Sequence, residues 1–177
     1  MGKVMFKTGD KVVYPAQGVG IVEKIEEMSV MGISAKFLTI RILENNAVIR
    51  VPVDKAEKVG MRRVIDDSSV DAILEILHQK APPPETKEKV SWTVRHREYG
   101  EKLKSGDIKE VAEVYRDLMQ LRFVKDLSFG ERRLLENAQQ FLAGEISEAK
   151  GISIEEANET LRAIFQKEDE EKGEEEE

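Results

Sequence analysis

The chain has 177 residues, of which 40% are hydrophobic, and this is enough for one ordinary domain or two small ones. It contains no cysteine and only two histidines, which excludes a disulfide framework, a thiolate metal site and a histidine-rich metal site. No stretch approaches the roughly 18 apolar residues of a membrane span, and residues 1–10 lack an apolar run of signal-peptide length. We therefore expect a soluble, cytoplasmic protein with no cofactor and no membrane association.

The net charge of −7 is concentrated at the C-terminal end of the chain. Residues 166–177 carry six of these seven negative charges, so the rest of the chain is close to neutral. A run of like charges repels itself and buries little apolar surface. The sequence therefore predicts a disordered acidic tail over residues 167–177, which keeps the protein soluble. A second hypothesis is that this tail competes with DNA for a basic surface of the same chain.

The residues before Asp66 form short segments that are rich in valine and isoleucine and separated by turn residues. The segments predicted as strands are 11–14, 19–25, 37–43 and 48–53. Pro15 and Gly18, then Gly32, and then Asn45-Asn46 supply the breaks, because glycine and asparagine tolerate the positive φ that tight turns require. Four or five strands in such a short stretch predict a small SH3-like or Tudor-like β-barrel over residues 1–66.

After Asp66 the spacing of apolar residues becomes helical. Helices are predicted to start at Ser68-Ser69, at Ser91, after Asp107, and at two capping boxes, Ser128 to Glu131 and Ser153 to Glu156. The proline-rich stretch 81–90 reads as a stiff connector between the first two helices. Gly144 is expected to loosen the end of the fourth helix. The predicted fold class is therefore α+β, with the small β-barrel followed by an all-α bundle over residues 67–166.

Catalytic templates do not fit the sequence. It lacks a Walker phosphate loop, a dinucleotide fingerprint, a serine elbow and a histidine pair at metal-binding spacing. Gly18-Val19-Gly20 has no third glycine and leads into a strand, so it is predicted to be a turn. The protein is therefore expected not to be an enzyme, and a weak activity on nucleic acid is disfavoured because the metal and nucleophile sets are missing.

Trp92 is the only tryptophan, and it stands at the start of a predicted helix just before Arg95, His96 and Arg97. An aromatic side chain beside guanidinium groups at a helix N-terminus is typical of surfaces that contact phosphates and stack on an unpaired base. The alternative is that Trp92 packs onto the bundle with Tyr99 and Leu103. The residues alone leave both interpretations open.

An ordered set of motifs resembles the CarD family, in its short bacterial type. In the first domain the matching segments are FKTGDKVVYP at 6–15, Gly18, RVPV at 50–53 and VGMR at 59–62. In the second domain they are Trp92 with its arginines, LKSGD at 103–107, VAEVYRDL at 111–118 and LSFGERRLL at 127–135. The resemblance covers nearly the whole chain, roughly residues 5–165.

The resemblance implies that the N-terminal domain is related to the polymerase-interacting domain of transcription-repair coupling factor and pairs with the β subunit of RNA polymerase. Strand addition along 47–51 is the implied mode, with Val48, Ile49, Arg50 and Val51 as contact residues. Arg50 matches an arginine that contacts polymerase in the family. The alternative is an ordinary barrel strand with one solvated arginine.

The resemblance also implies that the helical domain meets promoter DNA at the upstream edge of the melted region. There the family tryptophan, which Trp92 matches, wedges into the minor groove and stabilises the open complex. Arg95, Arg97 and Arg132 match basic positions that contact the phosphate backbone without sequence specificity. The chain departs from the family at Val94, where a basic residue is often found, which puts the strength of DNA binding in doubt.

A transcription regulator of this kind is expected to be a monomer that associates with the nucleoid through RNA polymerase. An alternative function is a polymerase-binding adaptor whose helical domain binds another protein rather than DNA, with Trp92 as the anchor of that interface.

Overall fold

The computed structural model describes the backbone of residues 5–80 and 92–175, and side chains over 5–80 and 94–166. The chain divides into two compact units, Met1–Val64 and Ile65–Glu177, each with a hydrophobic core of its own. This division falls close to Asp66, where the apolar periodicity changes. The predicted connector over 81–90 lies outside the described residues.

The first unit is an antiparallel five-stranded sheet with the strand order β4-β3-β2-β1-β5, so β4 and β5 are its edges. A short 3-10 helix, Val53–Lys55, follows β4. Alternate residues of the strands, among them Val12, Val22 and Leu38, form the core on one face of the sheet. The strands are β1 (Lys11–Tyr14), β2 (Gly18–Val30), β3 (Ile33–Ile42), β4 (Val48–Pro52) and β5 (Arg62–Arg63).

Strands β2 and β3 are longer than predicted, because their pairing continues beyond the core to Val30 opposite Ile33. A two-residue turn joins them, with φ of 55° at Met31 and 77° at Gly32, as in the hairpin turns that follow strand twist. The extension was missed because most of its side chains face solvent, and no burial pattern marks them. Backbone pairing holds it as a sheet, together with a hydrogen bond that the Ser34 hydroxyl donates to the Glu27 carboxylate at 2.8 Å.

The Gly18-Val19-Gly20 segment begins strand β2, and the turn before it spans residues 15–17. Gly18 has a φ of 96°, and strand β2 starts there. Gly20 lies inside β2, where a Cβ atom would stand 2.7 Å from Cγ2 of Ile40. The prediction of a turn is therefore wrong for this segment, and glycine is needed at position 20 because strand β3 approaches closely.

The described residues of the second unit form five helices, and its core is dominated by aliphatic side chains around Tyr115 and Phe165. These two rings meet edge to face at 5.7 Å between centroids, which is a favoured aromatic geometry. No helix of the described residues is long and apolar enough to cross a membrane. The helices are α1 (Asp67–His78), α2 (Trp92–Lys104), α3 (Ile108–Leu121), α4 (Phe129–Lys150) and α5 (Ile154–Glu175).

Local capping explains where most of these helices begin. Asp107 caps α3 as predicted, and the reciprocal hydrogen bonds of both predicted capping boxes are present, at Ser128 with Glu131 and at Ser153 with Glu156. For α1 the capping residue is Asp66 rather than a serine, because its carboxylate accepts from the Ser69 amide at 2.9 Å. Carboxylates and hydroxyls both satisfy free amides at this position.

Two predicted features of the last helices differ from the structure. Helix α4 does not loosen at Gly144 but continues to Lys150, and it ends at Gly151 in the left-handed conformation with φ of 66°. Helix α5 continues to Glu175, through most of the segment predicted to be a disordered tail over 167–177. Glutamate and lysine are good helix formers, so a charged run can extend a helix that the core has already nucleated.

Candidate functional site

The outer edge of β4 offers backbone groups that no other strand of the described residues uses. The carbonyl of Ala47 accepts from the Ile42 amide of β3 at 2.8 Å. Since the backbone groups of an antiparallel strand point alternately to either side, those of Ile49 and Val51 also face β3. The amides and carbonyls of Val48 and Arg50 therefore point away from the sheet. Pro52 has no amide hydrogen, and it ends the strand.

The side chains of β4 also alternate, with one residue facing solvent and the next facing the core. Val48 is 50% exposed and Arg50 is exposed, whereas Val51 is 3% exposed and belongs to the core. Ile49 is half-buried. Val51 was predicted as a partner contact, but both its side chain and its backbone groups are used inside the unit. The surface that a partner can reach is therefore Val48, Ile49 and Arg50, and we call it the β4 edge.

Arg50 lies at the end of a cross-strand row with Thr39 of β3 and Lys24 of β2. Lys24 forms an ion pair with Glu26 at 2.8 Å. Nearby, Arg41 bonds to Glu23, and that contact raises the pKa of Arg41. Among the side chains described, Arg50 has no acidic partner. It therefore brings an uncompensated positive charge to the β4 edge.

The predicted DNA-binding residues of α2 lie on two faces of that helix. Trp92 is its first residue, and the Trp92 side chain lies outside the described residues. Arg95 follows three positions later, on the same side of the helix, and is half-buried. Arg97 is two positions further on, which is more than half a turn around the axis, and it is exposed. The sequence grouped Arg97 with Arg95, but the helix separates them.

Tyr99, one turn after Arg95, links α2 to the neighbouring helices. Its hydroxyl donates to Oδ2 of Asp117 in α3 at 3.5 Å. Burial raises the pKa of Tyr99 to about 12, with a further rise from the Asp117 and Glu131 charges and an opposing effect of Arg95. Helices α2 and α4 are in contact, and the charges of both Arg95 and Glu131 act on Tyr99. The first half of α2 therefore lies near the first turn of α4, which contains Arg132.

Burial also raises the pKa of Asp117, although Arg116 and Lys102 oppose this. The guanidinium of Arg116 holds Asp117 at 3.0 Å and extends to the Gln79 side chain at 3.4 Å. This buried pair fixes the position of the Tyr99 acceptor. The Arg116–Asp117 pair therefore holds α2 in place through Tyr99 and is not itself exposed on the surface of α2.

Arg132 stands in the first turn of α4, beside an acidic residue that is already engaged. Glu131 is 4% exposed and accepts from the Ser128 amide at 3.0 Å and from Nζ of Lys125 at 2.8 Å. Burial alone would raise the pKa of Glu131, but these hydrogen bonds outweigh it and lower the pKa. Arg132 is exposed and has no acidic partner among the side chains described. We call Arg95 and Arg132, together with the start of α2 at Trp92, the α2–α4 surface.

The prediction from sequence assigned no contact to one residue inside this capping box and one just after it. Phe129, the first residue of α4, is 80% exposed, and Arg133 is exposed beside Arg132. The signal was present in the spacing, because residues three and four positions after Phe129 share its helix face. A motif match records only that phenylalanine occurs at position 129. It does not show whether the side chain is buried or exposed.

Two domain families match the chain, one for each unit. The family described as "CarD-like/TRCF RID domain" matches residues 6–65. The family described as "CarD, C-terminal domain" matches residues 72–162. Together they cover both compact units, in the order that the motifs predicted.

Individual proteins agree with these families. A Bacillus subtilis (strain 168) protein named as a candidate transcription factor, YdeB, is 34% identical over 149 residues, which is 84% of this chain and 95% of that protein. Of the solved structures, "CdnLNt" from Myxococcus xanthus is 46% identical and covers 38% of this chain and 94% of its own, with a TM-score of 0.32. The 72-residue N-terminal domain of Myxococcus xanthus CarD is 38% identical, with coverages of 36% and 84% and a TM-score of 0.30.

Proposed function

The chain belongs to the CarD family of transcription-associated regulators, in its short CdnL-like type, and from this premise we propose that it binds the RNA polymerase β subunit and stabilises the promoter open complex. In this proposal residues 1–66 hold the polymerase and residues 67–166 contact promoter DNA. The chain acts as a non-enzymatic adaptor between the two.

The observation that carries the proposal is the β4 edge. Val48 and Arg50 direct their backbone amides and carbonyls outward, and Arg50 adds a charge without an acidic partner in the described part of the chain. A strand of the polymerase can continue the sheet there by backbone hydrogen bonds, while the arginine selects an acidic or polar partner residue. Pro52 limits the pairing to a few residues, so the arginine contributes much of the specificity.

The α2–α4 surface supports the second half of the proposal. Arg95 and Arg132 supply positive charge on two helices that meet around Tyr99, and such charges bind phosphates without reading sequence. Trp92 begins α2 beside them and acts as a wedge that fills an unstacked step in the minor groove. Contacts of this kind contribute a few kcal/mol, and about 1.4 kcal/mol corresponds to a tenfold change in lifetime.

The test is the lifetime of open complexes formed with the wild-type protein, Trp92→Ala and Arg50→Glu. Trp92→Ala is expected to bind polymerase normally and to shorten the lifetime by about tenfold, since the wedge is lost. Arg50→Glu is expected to lose polymerase binding and, with it, any effect on lifetime. Arg41→Glu is not a suitable control because Arg41 is paired with Glu23, so Lys58→Glu, an exposed charge outside the strands of the first unit, serves instead.

Two results would contradict the proposal. If Trp92→Ala left the lifetime unchanged, the wedge would be wrong. If Arg50→Glu still bound the β subunit as the wild type does, the β4 edge would be wrong.

A second candidate is an adaptor whose helical unit binds a protein instead of DNA. The exposed Phe129 favours it to some extent, because exposed aromatics are also common anchors in protein interfaces. A protein interface predicts that the effect on transcription is independent of the DNA around the melted region. Forked and fully paired promoter fragments bound to the polymerase complex separate the two candidates.

A further inference from the structure

The β2–β3 hairpin extends past the core of the first unit, and we call residues 27–36 the hairpin arm. Four cross-strand pairs, the last of them Val30 with Ile33, lie beyond Phe37, where the pairing of β3 with β4 ends. In the described residues β1 pairs with β2 only over 18–21, so the arm has no further strand on either side. At about 3.3 Å per residue, the arm projects by roughly 13 Å.

The two faces of the arm differ in polarity. On one face the Ser34 hydroxyl donates to the Glu27 carboxylate at 2.8 Å. On the other face Val30 is 53% exposed and Ile33 is 71% exposed. This apolar face consists of Met28, Val30, Ile33 and Ala35, which form two directly opposed pairs. Two strands by themselves are only marginally stable, and burial of an apolar face is what usually supports them.

The tip of the arm carries an apolar side chain where folding favours another residue type. Met31 is 97% exposed and has a φ of 55°. Asparagine and glycine are preferred at this position of a two-residue hairpin turn. Met31 also lies outside the core of the first unit, so the methionine gains nothing there from packing. A contact outside the chain gives this side chain a role that folding does not.

The apolar face of the arm is continuous with the β4 edge. Side chains alternate along β3, so Ile33 lies on the same face of the sheet as Phe37 and Thr39. Thr39 is opposite Arg50, which places Arg50 on this face as well. Between them Phe37 lies opposite Pro52, and both are half-buried. A partner chain that pairs with the β4 edge and continues past Pro52 therefore reaches the arm.

We propose that the apolar face of the hairpin arm is a second contact with the RNA polymerase β subunit, which packs an apolar segment there beside the strand added at the β4 edge. The inference rests on the proposed pairing of the β4 edge with polymerase and adds a further surface to that contact. Only Val48 and Arg50 offer outward backbone groups before Pro52, so backbone pairing is short. Burial of the arm adds apolar area that this pairing lacks.

The charges at the base of the arm favour an apolar partner segment over an acidic or a basic one. Glu26 lies opposite Phe37 on the same face, and its carboxylate is paired with Lys24 at 2.8 Å. The four side chains of the apolar face are themselves uncharged. A charged partner group would therefore lose its hydration without gaining an opposite charge.

The first experiment measures binding of the full chain to RNA polymerase for the double variant Val30→Thr/Ile33→Thr, for Val59→Thr and for Arg50→Glu. Threonine keeps the branched shape that favours strands and removes apolar surface. The double variant is expected to lose affinity about tenfold. Val59→Thr is the matched control, because it makes the same change at a 42% exposed valine outside the strands, and it should bind as the wild type does.

Wild-type affinity of the double variant, or an equal loss in Val59→Thr, would overturn the inference. Circular dichroism and thermal unfolding of the double variant establish that the first unit remains folded.

The second experiment does not depend on a destabilising substitution. A photocrosslinking amino acid replaces Met31, whose side chain is exposed at the tip of the arm, and the full chain is bound to polymerase. A crosslink to the β subunit is expected. A crosslink to another polymerase subunit, to DNA or to a second copy of this chain, or the absence of any crosslink, would contradict the proposal.

The two proposals fail in different ways. If Arg50→Glu abolishes binding while the double variant binds normally, the arm contact is wrong and the β4 edge stands. If Arg50→Glu binds normally while the double variant loses affinity and position 31 crosslinks to the β subunit, the β4 edge is wrong and the arm contact stands.

Discussion

Charged side chains on this protein differ mainly in whether an acidic partner already neutralises them. Arg41 and Lys24 are paired with Glu23 and Glu26, whereas Arg50 and Arg132 have no acidic partner in the described part of the chain. An unpaired exposed arginine contributes little to folding, so its replacement affects binding without unfolding the protein. This separation makes single substitutions informative.

Arg132→Ala tests the phosphate contact through its dependence on salt. Each phosphate contact releases counterions, so removing one is expected to lower the slope of log affinity against log salt by about 1. Affinity for DNA should fall alike for all sequences. Arg97→Ala is a useful comparison, because Arg97 lies on the other side of α2 from Arg95. The measurement is DNA binding by the full chain over a range of salt concentrations, and an unchanged slope for Arg132→Ala would rule out the contact.

Met31 is strained in a way that the sequence alone did not indicate. It is 97% exposed and adopts a φ of 55°, which disfavours side chains other than asparagine, aspartate or glycine. We expect Met31→Asn to stabilise the first unit by about 1 kcal/mol. Chemical denaturation of the wild type and the variant measures this difference. A loss of stability would mean that the Met31 side chain makes a contact of its own.

Strand addition at β4 can be tested by changing its backbone hydrogen-bond donors rather than its side-chain charges. Val48→Pro removes an amide hydrogen that points outward, whereas Ile49→Pro removes one that points to β3. Val48→Pro is expected to keep the unit folded and weaken polymerase binding at least tenfold, about 1.4 kcal/mol. Ile49→Pro is expected to destabilise the sheet itself.

Circular dichroism and polymerase binding distinguish these two results. Strand addition would be refuted by a folded Val48→Pro protein that binds polymerase with full affinity. Val48→Ala is the matched control, since it shortens the same side chain and keeps the amide.

The capping box of α4 predicts a particular dependence on pH. The folded protein holds the pKa of Glu131 below its ordinary value of 4.5, so the charged form stabilises the folded state. This contribution is complete above pH 4.5 and is lost as pH falls through the lowered pKa. Glu131→Gln keeps an acceptor for the Ser128 amide but loses the charge that attracts Lys125. It is expected to cost less than about 1 kcal/mol at neutral pH.

Unfolding of the helical unit at pH 7 and at several values below 4.5 measures the effect. The wild type should lose stability more steeply than Glu131→Gln in the acidic range. Parallel curves would mean that Glu131 does not contribute as a charge.

Element starts and ends could be predicted where local chemistry decides them. Asp107, Ser128 and Ser153 act within one turn of chain, so their caps are visible in the sequence. The extension of β2 and β3 could not be predicted in this way, because its support comes from pairing across the hairpin. The inward position of Glu131 also escaped prediction, since it depends on Lys125 as a partner.

At the scale of the whole molecule, the two units have separate cores, and each is expected to respond to its own substitutions. Ile40→Ala removes core volume in the first unit, and Leu142→Ala does so in the second. Each change is expected to cost about 2–5 kcal/mol in its own unit and little in the other. Hydrogen exchange of the β2 and β3 amides and of the α4 amides reports both units at once. Equal loss of protection in both units would show that the chain unfolds as one body.

The motifs predicted one candidate surface in each unit, but they did not predict which side chains are exposed. In the structure Val48, Arg50 and Arg132 are exposed, and Ile49 and Arg95 are half-buried. Val51 is buried because alternate residues of a strand face the core, and Arg97 lies on the other side of α2 from Arg95 because a helix turns by about 100° per residue. The sequence alone does not show which way a side chain points. That becomes clear only once the strands and helices that carry the residues are known.

Pro52 also affects whether copies of this protein can associate with one another through the β4 edge. An open strand edge is a template on which a second copy of the same chain can add a strand, and this is a common route to aggregation. Here the outward register holds only two residues before a proline that cannot donate, and one of them is a charged arginine that repels its counterpart in another copy. We therefore expect this edge to resist strand addition between identical chains, and the protein to stay dispersed when its proposed partner is absent.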